Sequence, residues 1–129
     1  MKSAKEKYEA ELFATWLDSI VGQRGYYAKL LRYSCIGHGR KLPIQIATAL
    51  QREGLKRGVP DYLLVFDTQH FGKKVVFVEL KRTKGGKRSA EQEEWASVLS
   101  GMISCAHHFA AGFAEAQEIV DHYLTGLWS

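Results

Sequence analysis

The chain carries Gly58-Val59-Pro60-Asp61-Tyr62-Leu63-Leu64-Val65-Phe66 and, across a polar turn, Val75-Val76-Phe77-Val78-Glu79-Leu80-Lys81. Both runs are rich in Val, Tyr and Phe, so we predict two paired antiparallel strands. Because side chains alternate along a strand, Glu79 and Lys81 share one face, while Val76, Val78 and Leu80 share the other. The second run therefore ends with a carboxylate and an amine side by side.

Asp61 opens the first of these strands, and this adds a second carboxylate to the same region. Mg²⁺ in proteins is usually held by one or two carboxylates together with substrate phosphate and water. Lys81 is placed to orient or deprotonate an attacking water, or to neutralise charge on a phosphate. Glu-X-Lys alone would be typical of a solvated strand end, but its combination with Asp61 predicts a metal-dependent site.

Three segments carry a resemblance to a known family: Gly58-Val59-Pro60-Asp61, Phe77-Val78-Glu79-Leu80-Lys81-Arg82 and Gly86-Lys87-Arg88-Ser89-Ala90-Glu91-Gln92-Glu93-Glu94-Trp95. In this order and spacing they resemble the VRR-NUC family, the virus-type replication-repair nucleases of the PD-(D/E)XK superfamily. The resemblance covers nearly all of the chain and is most specific over residues 58–95. It implies an α/β, restriction-endonuclease-like fold, with a central mixed β-sheet flanked by helices, in one domain over residues 1–129.

The resemblance also implies roles for the residues that match its motifs. Asp61 and Glu79 would bind Mg²⁺, for which Mn²⁺ would substitute, and the backbone carbonyl of Leu80 would be a further ligand. Lys81 would serve the water, and Gln92 would position Lys81 or a substrate phosphate.

A carboxylate on the first helix is implied as well. We carry this role to Glu9, acting on the metal directly or through water, and Glu6 and Glu11 remain alternatives. The bland alternative is that all three are surface charges on a helix.

Positive charge is concentrated in the middle of the chain, although the net charge is only +4. Residues 24–58 hold eight Lys or Arg and one acid, and residues 81–88 hold five Lys or Arg and no acid. Residues 89–129 hold six acids and no Lys or Arg. Such segregation indicates that the middle of the chain faces a polyanion. The candidate DNA-backbone contacts are Arg40, Arg57, Arg82, Lys84, Lys87 and Arg88. Arg40 stands with His38 in a glycine-rich turn, and an unligated flexible turn is an equal alternative there.

Helical periodicity marks the rest of the chain. We predict helices over Ala4–Ile20, Ile44–Glu53, Ala90–Gly101 and Phe113–Leu124, and a core strand over Ile103–Ala110. Ser89 is the predicted N-cap of the third helix. Apolar faces are predicted from Tyr8, Leu12, Phe13, Trp16, Leu17 and Ile20 on the first helix, and from Trp95, Val98, Leu99 and Met102 on the third.

Other classes of site are disfavoured. Cys35 and Cys105 lie far apart, without a second pair, so a disulfide framework or a zinc site is not expected. Adjacent His107 and His108 would point to opposite faces of a strand. No apolar run approaches the length of a membrane span. We expect a soluble, intracellular protein, most simply of a bacterium or a phage-infected host.

The sequence therefore predicts a metal-dependent, structure-selective DNA endonuclease, with branched DNA such as a four-way junction as its substrate. We expect a symmetric homodimer, because resolving a junction needs two symmetry-related incisions. The C-terminal aromatics Tyr123 and Trp128 are candidates for its interface, and the alternative is that they close the protein's own core. The alternatives are a non-catalytic nucleic-acid-binding accessory protein, and a flap or sequence-specific endonuclease on the same fold.

Overall fold

The computed structural model describes residues 4–36, 43–69, 71–82 and 86–128 of the chain. Four helices and four strands occupy these ranges: α1 (Ala4–Ile20), β1 (Ala28–Cys35), α2 (Ile44–Arg52), β2 (Tyr62–Thr68), β3 (Gly72–Lys81), α3 (Ala90–Ser100), β4 (Cys105–Ala111) and α4 (Phe113–Leu124). The predicted helices end within one residue of these bounds. β1 was not predicted as a strand, because its mixed aromatic and basic composition carries no clear alternation.

The four strands form one mixed sheet in the order β1-β2-β3-β4. β1, β2 and β3 pair antiparallel, whereas β4 pairs parallel to β3. A parallel neighbour needs a crossover connection, and α3 provides it between β3 and β4. The predicted α/β fold with a central mixed sheet flanked by helices is confirmed.

The hairpin formed by β2 and β3 has a shorter turn than predicted. Thr68 on β2 pairs with Gly72 on β3, so the strands extend into residues 67–73, which we expected to be turn. The Thr68 hydroxyl donates to the Gly72 carbonyl at 2.6 Å, and Gly72 has a φ of 75°. Glycine tolerates this left-handed conformation without a steric penalty, which lets the chain reverse directly between the strands.

The core lies on the face of the sheet toward α1 and α4. Val76, Val78 and Leu80 alternate along β3 and are fully buried there, as the strand pattern predicts. They pack in one apolar cluster that includes Leu64 and Phe66 of β2, Phe13 and Leu17 of α1, and Val120 and Leu124 of α4.

Four residues predicted on the apolar faces of helices are exposed instead. Tyr8 is 62%, Leu12 37%, Val98 61% and Met102 54% exposed. Leu99, next to Val98, is only 8% exposed. Periodicity identifies one face of a helix, but it does not show how much of that face a neighbouring element covers.

The C-terminal aromatics close the protein's own core. Tyr123 is 3% exposed, and its ring stacks on Phe66 at 5.3 Å between centroids. Trp128 packs on His108, His122 and Tyr123 at 5.2, 4.3 and 5.5 Å. The prediction that Tyr123 supplies a partner surface is therefore wrong, whereas Trp128 is half-buried against the same cluster and its part of the prediction stays untested.

Exposed apolar residues occur elsewhere, on α2 and at the end of α3. α2 buries none of its residues, and Ile44 and Ile46 are 75% and 49% exposed. Ile103, just after α3, is 96% exposed. Among the described helices, none has both the length and the apolar character needed to cross a bilayer.

Candidate active site

Asp61 and Glu79 lie side by side where β2 begins and β3 ends. Asp61 is 9% and Glu79 4% exposed. The Leu80 amide donates to Asp61 Oδ2 at 2.8 Å, and the Asp61 amide donates to Glu79 Oε2 at 3.1 Å. Each carboxylate thus accepts a backbone N–H from the other strand, which holds the two acids at fixed positions. Two buried carboxylates so close together favour a cation between or beside them.

Lys81 supplies the nearest described cation. Its Nζ lies 3.8 Å from Glu79 Oε1, and its side chain is 16% exposed. The Lys81 carbonyl accepts the Gly112 amide at 2.8 Å, which anchors the end of β3 at the junction of β4 and α4. The ammonium therefore sits on a rigid strand, as the alternation of side chains along β3 predicted.

Gln92 joins the helix cap to the carboxylates. Its Nε2 donates to Glu79 Oε1 at 2.6 Å, and its Oε1 accepts from Lys81 Nζ at 2.7 Å and from the Ser89 amide at 2.9 Å. The Ser89 hydroxyl in turn accepts the Gln92 amide at 3.1 Å, which completes a capping box. Because one end of the side chain donates and the other accepts, only an amide satisfies both partners.

Close packing between a loop and α3 sets the place of Gln92. Gly58 has a φ of 80°, and a Cβ at this position would lie 2.5 Å from the Glu91 carbonyl carbon. The Trp95 indole donates to the Arg57 carbonyl at 3.2 Å. The loop that leads to Asp61 is thereby pressed against the first turns of α3. No local sequence pattern indicates this approach of Gly58 to α3.

The three candidate carboxylates of α1 are placed differently. Glu11 is exposed, whereas Glu6 and Glu9 are half-buried. Glu6 lies 3.7 Å from the guanidinium of Arg82, the residue that follows Lys81. The Tyr62 hydroxyl donates to the Ala10 carbonyl at 3.2 Å, which ties this part of α1 to the start of β2. Glu6 and Glu9 are thus on the half of α1 that faces the site.

The candidate DNA contacts are spread around the site. Arg57, Arg82, Lys87 and Arg88 are exposed. The Arg88 guanidinium lies 3.9 Å from the centroid of the Phe109 ring. Arg40 and Lys84, together with His38, fall outside the described residues.

The donor set suits a hard divalent cation. Asp61 and Glu79 offer carboxylate oxygens, and two carboxylates are sufficient for Mg²⁺, which keeps several waters. Within residues 4–36, 43–69, 71–82 and 86–128, no group of three or more His, Cys, Asp or Glu side chains is arranged to hold a metal. The role of Glu9 at a metal, direct or through water, stays a prediction.

His107 and His108 project from opposite faces of β4. The His107 ring contacts Phe109, with centroids 4.9 Å apart, whereas His108 Nε2 lies 2.6 Å from the Tyr123 hydroxyl. Burial lowers the pKa of both imidazoles. The two rings cannot share one ligand.

Comparison with known proteins supports the fold. No protein-family sequence model matches the chain. No curated protein matches it in sequence either. A solved structure described as "VRR_NUC domain protein" is similar to it with a TM-score of 0.60 and 17% sequence identity, over 96% of this chain and 91% of that one. The chain therefore has the fold of a VRR_NUC domain protein, in agreement with the resemblance in its sequence motifs.

Proposed function

We propose that this protein is a divalent-metal-dependent nuclease that hydrolyses DNA phosphodiester bonds. The observation that carries the proposal is the hydrogen-bonded network of Asp61, Glu79, Lys81 and Gln92. Binding of DNA alone would need no buried carboxylate pair facing a polyanion, since such a pair repels phosphate. This disfavours the accessory-protein alternative.

Each residue of the network has a separate task. Asp61 and Glu79 would hold Mg²⁺, with the Leu80 carbonyl as a further ligand and Glu9 acting directly or through water. The ion, when bound, would lower the pKa of a water and stabilise negative charge on the phosphate. Lys81 would hold the attacking water or a phosphate oxygen. Gln92 would keep the Lys81 ammonium beside Glu79, because its carbonyl accepts from one while its amide donates to the other.

Asp61→Asn is the sharpest test of this assignment. An Asn oxygen can still accept the Leu80 amide, whereas Glu79→Gln would set an amide donor against the Asp61 or the Gln92 N–H group. We expect Asp61→Asn to lower cleavage by about a thousandfold, the scale of losing a group that stabilises transition-state charge. Asp67→Asn, the same change at an exposed site on β2, should cut within about twofold of the parental rate.

The metal dependence is measured in the same assay. Mg²⁺ or Mn²⁺ should support cutting, and Ca²⁺ should support binding only, because its longer bonds and looser geometry misplace the reacting groups. Full activity in excess chelator would end the metal assignment. DNA binding with no cleavage under any metal would favour the accessory protein.

We further propose that the protein acts as a homodimer on branched DNA, with four-way junctions as the preferred substrate. The domain offers one carboxylate pair, and a two-fold dimer would present the pair twice. Since Tyr123 is buried in the core and Trp128 is half-buried against it, a dimer needs further exposed apolar surface. The exposed apolar residues Ile44 and Ile46 on α2 are the candidate dimer surface.

Light scattering with a junction-cleavage assay tests this second proposal. We expect a dimer that cuts four-way junctions on opposed strands, and we expect Ile44→Glu with Ile46→Glu to yield a monomer. Neither residue is buried within the domain, so the pair of changes should leave folding intact. A parental monomer that cuts flaps and ignores junctions would favour the flap endonuclease, and strict dependence on one short sequence would favour a sequence-specific enzyme.

A further inference from the structure

Arg88 is held beside the carboxylate site by an aromatic ring. Its guanidinium carbon lies 3.9 Å from the centroid of Phe109 on β4. Phe109 pairs in register with Glu79 on β3, and paired residues of neighbouring strands project from the same face. The loop that carries Arg88 also returns close to β3, since a Cβ at Gly86 would lie 3.0 Å from the Cβ of Lys81. Arg88 therefore has a defined position next to the site.

A weak ion pair partly neutralises this guanidinium. Arg88 Nη1 lies 3.5 Å from Glu93 Oε1 in the first turn of α3, and the two side chains are 52% and 53% exposed. Exposed pairs of this kind are readily exchanged for another anion, because water screens them. A guanidinium has five N–H donors, so stacking and one carboxylate leave donors for a further acceptor.

His107, two residues before Phe109 on β4, packs against the Phe109 ring. Its ring meets the Phe109 ring edge to face, with centroids 4.9 Å apart. Burial lowers the pKa of His107, the Arg88 charge lowers it further, and Glu93 opposes the shift. The imidazole is therefore neutral at neutral pH, and the positive charge of this corner resides on Arg88.

We propose that Arg88, stacked on Phe109, is a preformed phosphate-binding residue that fixes a DNA strand beside Glu79, and that Glu93 masks it until DNA displaces the carboxylate. The inference rests on the proposed function for its ligand, but it concerns binding and not cleavage. It assigns opposite effects to neighbouring charges. Arg88 and Phe109 strengthen DNA binding, whereas Glu93 competes with it.

Fluorescence anisotropy with a labelled DNA duplex and a labelled four-way junction, over a salt series in EDTA, tests the inference without cleavage. Arg88→Ala should weaken binding by about tenfold and reduce the slope of log K against log salt by about 0.9, the value for one phosphate contact. Arg88→Lys should lose most of the same affinity, because an ammonium does not stack flat on the ring. Lys73→Ala, which removes an exposed lysine at the opposite end of β3 from Glu79, should cost about twofold or less.

Glu93→Gln is the decisive variant, because the inference predicts that it strengthens DNA binding. It should tighten binding by roughly two- to fivefold, more than the same charge change in Glu94→Gln, and the gain should vanish in the Arg88→Ala background. Phe109→Leu should weaken binding in the presence of Arg88 and have no effect in its absence.

Two outcomes would overturn the inference alone: equal gains from Glu93→Gln and Glu94→Gln, or equal losses from Arg88→Ala and Lys73→Ala, in a protein that binds and cuts DNA. A parental protein that does not bind either DNA would instead overturn the proposed function, and this inference with it.

Discussion

The two faces of the central sheet obey different rules, and β3 shows both within a few residues. Toward α1 and α4 it presents Val76, Val78 and Leu80, all fully buried among apolar side chains. Toward α3 it presents Glu79, which is buried, and Phe77 and Lys81, which are half-buried, and hydrogen bonds join the charged groups. One face is built from close packing, and the other from directional polar contacts.

The difference separates folding from chemistry. Apolar burial is non-directional and scales with area, so the α1 and α4 face supplies most of the free energy of folding. A buried polar network gives little net stability, but it fixes charges at defined distances. Substitutions on the first face should therefore change stability, while substitutions on the second should change activity.

The largest effect is expected from a matched pair of phenylalanines on the two faces. Phe66 is fully buried against α4, whereas Phe77 is half-buried on the α3 face. We expect Phe66→Ala to lower the free energy of unfolding by about 3–5 kcal/mol, because it opens a cavity in the core. Phe77→Ala should lower it by about 1–2 kcal/mol. Urea denaturation measures both, and equal losses would show that the α3 face is also a core.

The core face was the more predictable of the two. Alternation along β3 placed Val76, Val78 and Leu80 together on sequence grounds alone, because a strand has a fixed two-residue period. The limits of the core were not predictable. Tyr8 and Val98 fit the periodicity of their helices but are exposed, because periodicity does not show how much of a helix face a neighbouring element covers.

The intermediate effect concerns Gln92, which serves both the cap of α3 and the site. Gln92→Ala should lower cleavage by about 10- to 100-fold, since Lys81 and Glu79 lose the group that holds them together. Ser89→Ala is the matched control. It removes the cap hydroxyl at a cost of about 1 kcal/mol, but it leaves the Gln92 side chain in contact with both partners. Its cleavage rate, compared at equal folded fraction, should stay close to the parental value.

If Ser89→Ala lost as much activity as Gln92→Ala, the role of Gln92 would be structural only. Thermal unfolding of both variants measures the folded fraction of each, and the cleavage rates are then compared at equal folded fraction. The two measurements together state whether the polar face can be disturbed without loss of stability.

The polar face was predictable only in part. Asp61, Glu79, Lys81 and Gln92 were named from motifs, and the structure brings all four together. The contacts of Gly58 with α3 and of Arg88 with Phe109 were not foreseen. They join segments that are far apart in the chain, and no local pattern encodes the distance between such segments.

The two faces of the sheet also differ at two adjacent residues of β4, His107 and His108. His108 faces α4, where its Nε2 lies 2.6 Å from the Tyr123 hydroxyl and its ring stacks on Trp128. Burial raises the pKa of Tyr123 to about 12, so the phenol keeps its proton and can donate to a neutral imidazole. His107 faces α3, and among the described residues its buried Nδ1 has no hydrogen-bond partner.

The smallest effect is a loss of stability in mild acid that comes mainly from His108. Its pKa is lowered by burial, then by the charges of His107 and Lys74, with no opposing carboxylate, whereas Glu93 partly opposes the shift at His107. Below the ordinary histidine pKa of about 6.5 the unfolded chain therefore binds more protons than the folded chain. As the pH is lowered from there, stability decreases until the pH passes below the lowered pKa of the folded state. Above about pH 7 both states are neutral at these residues, and they contribute no pH dependence. Urea midpoints at neutral and mildly acid pH should converge more for His108→Gln than for His107→Gln, relative to the parental protein. An equal change in the two variants would mean that the two faces do not differ in how they accommodate charge.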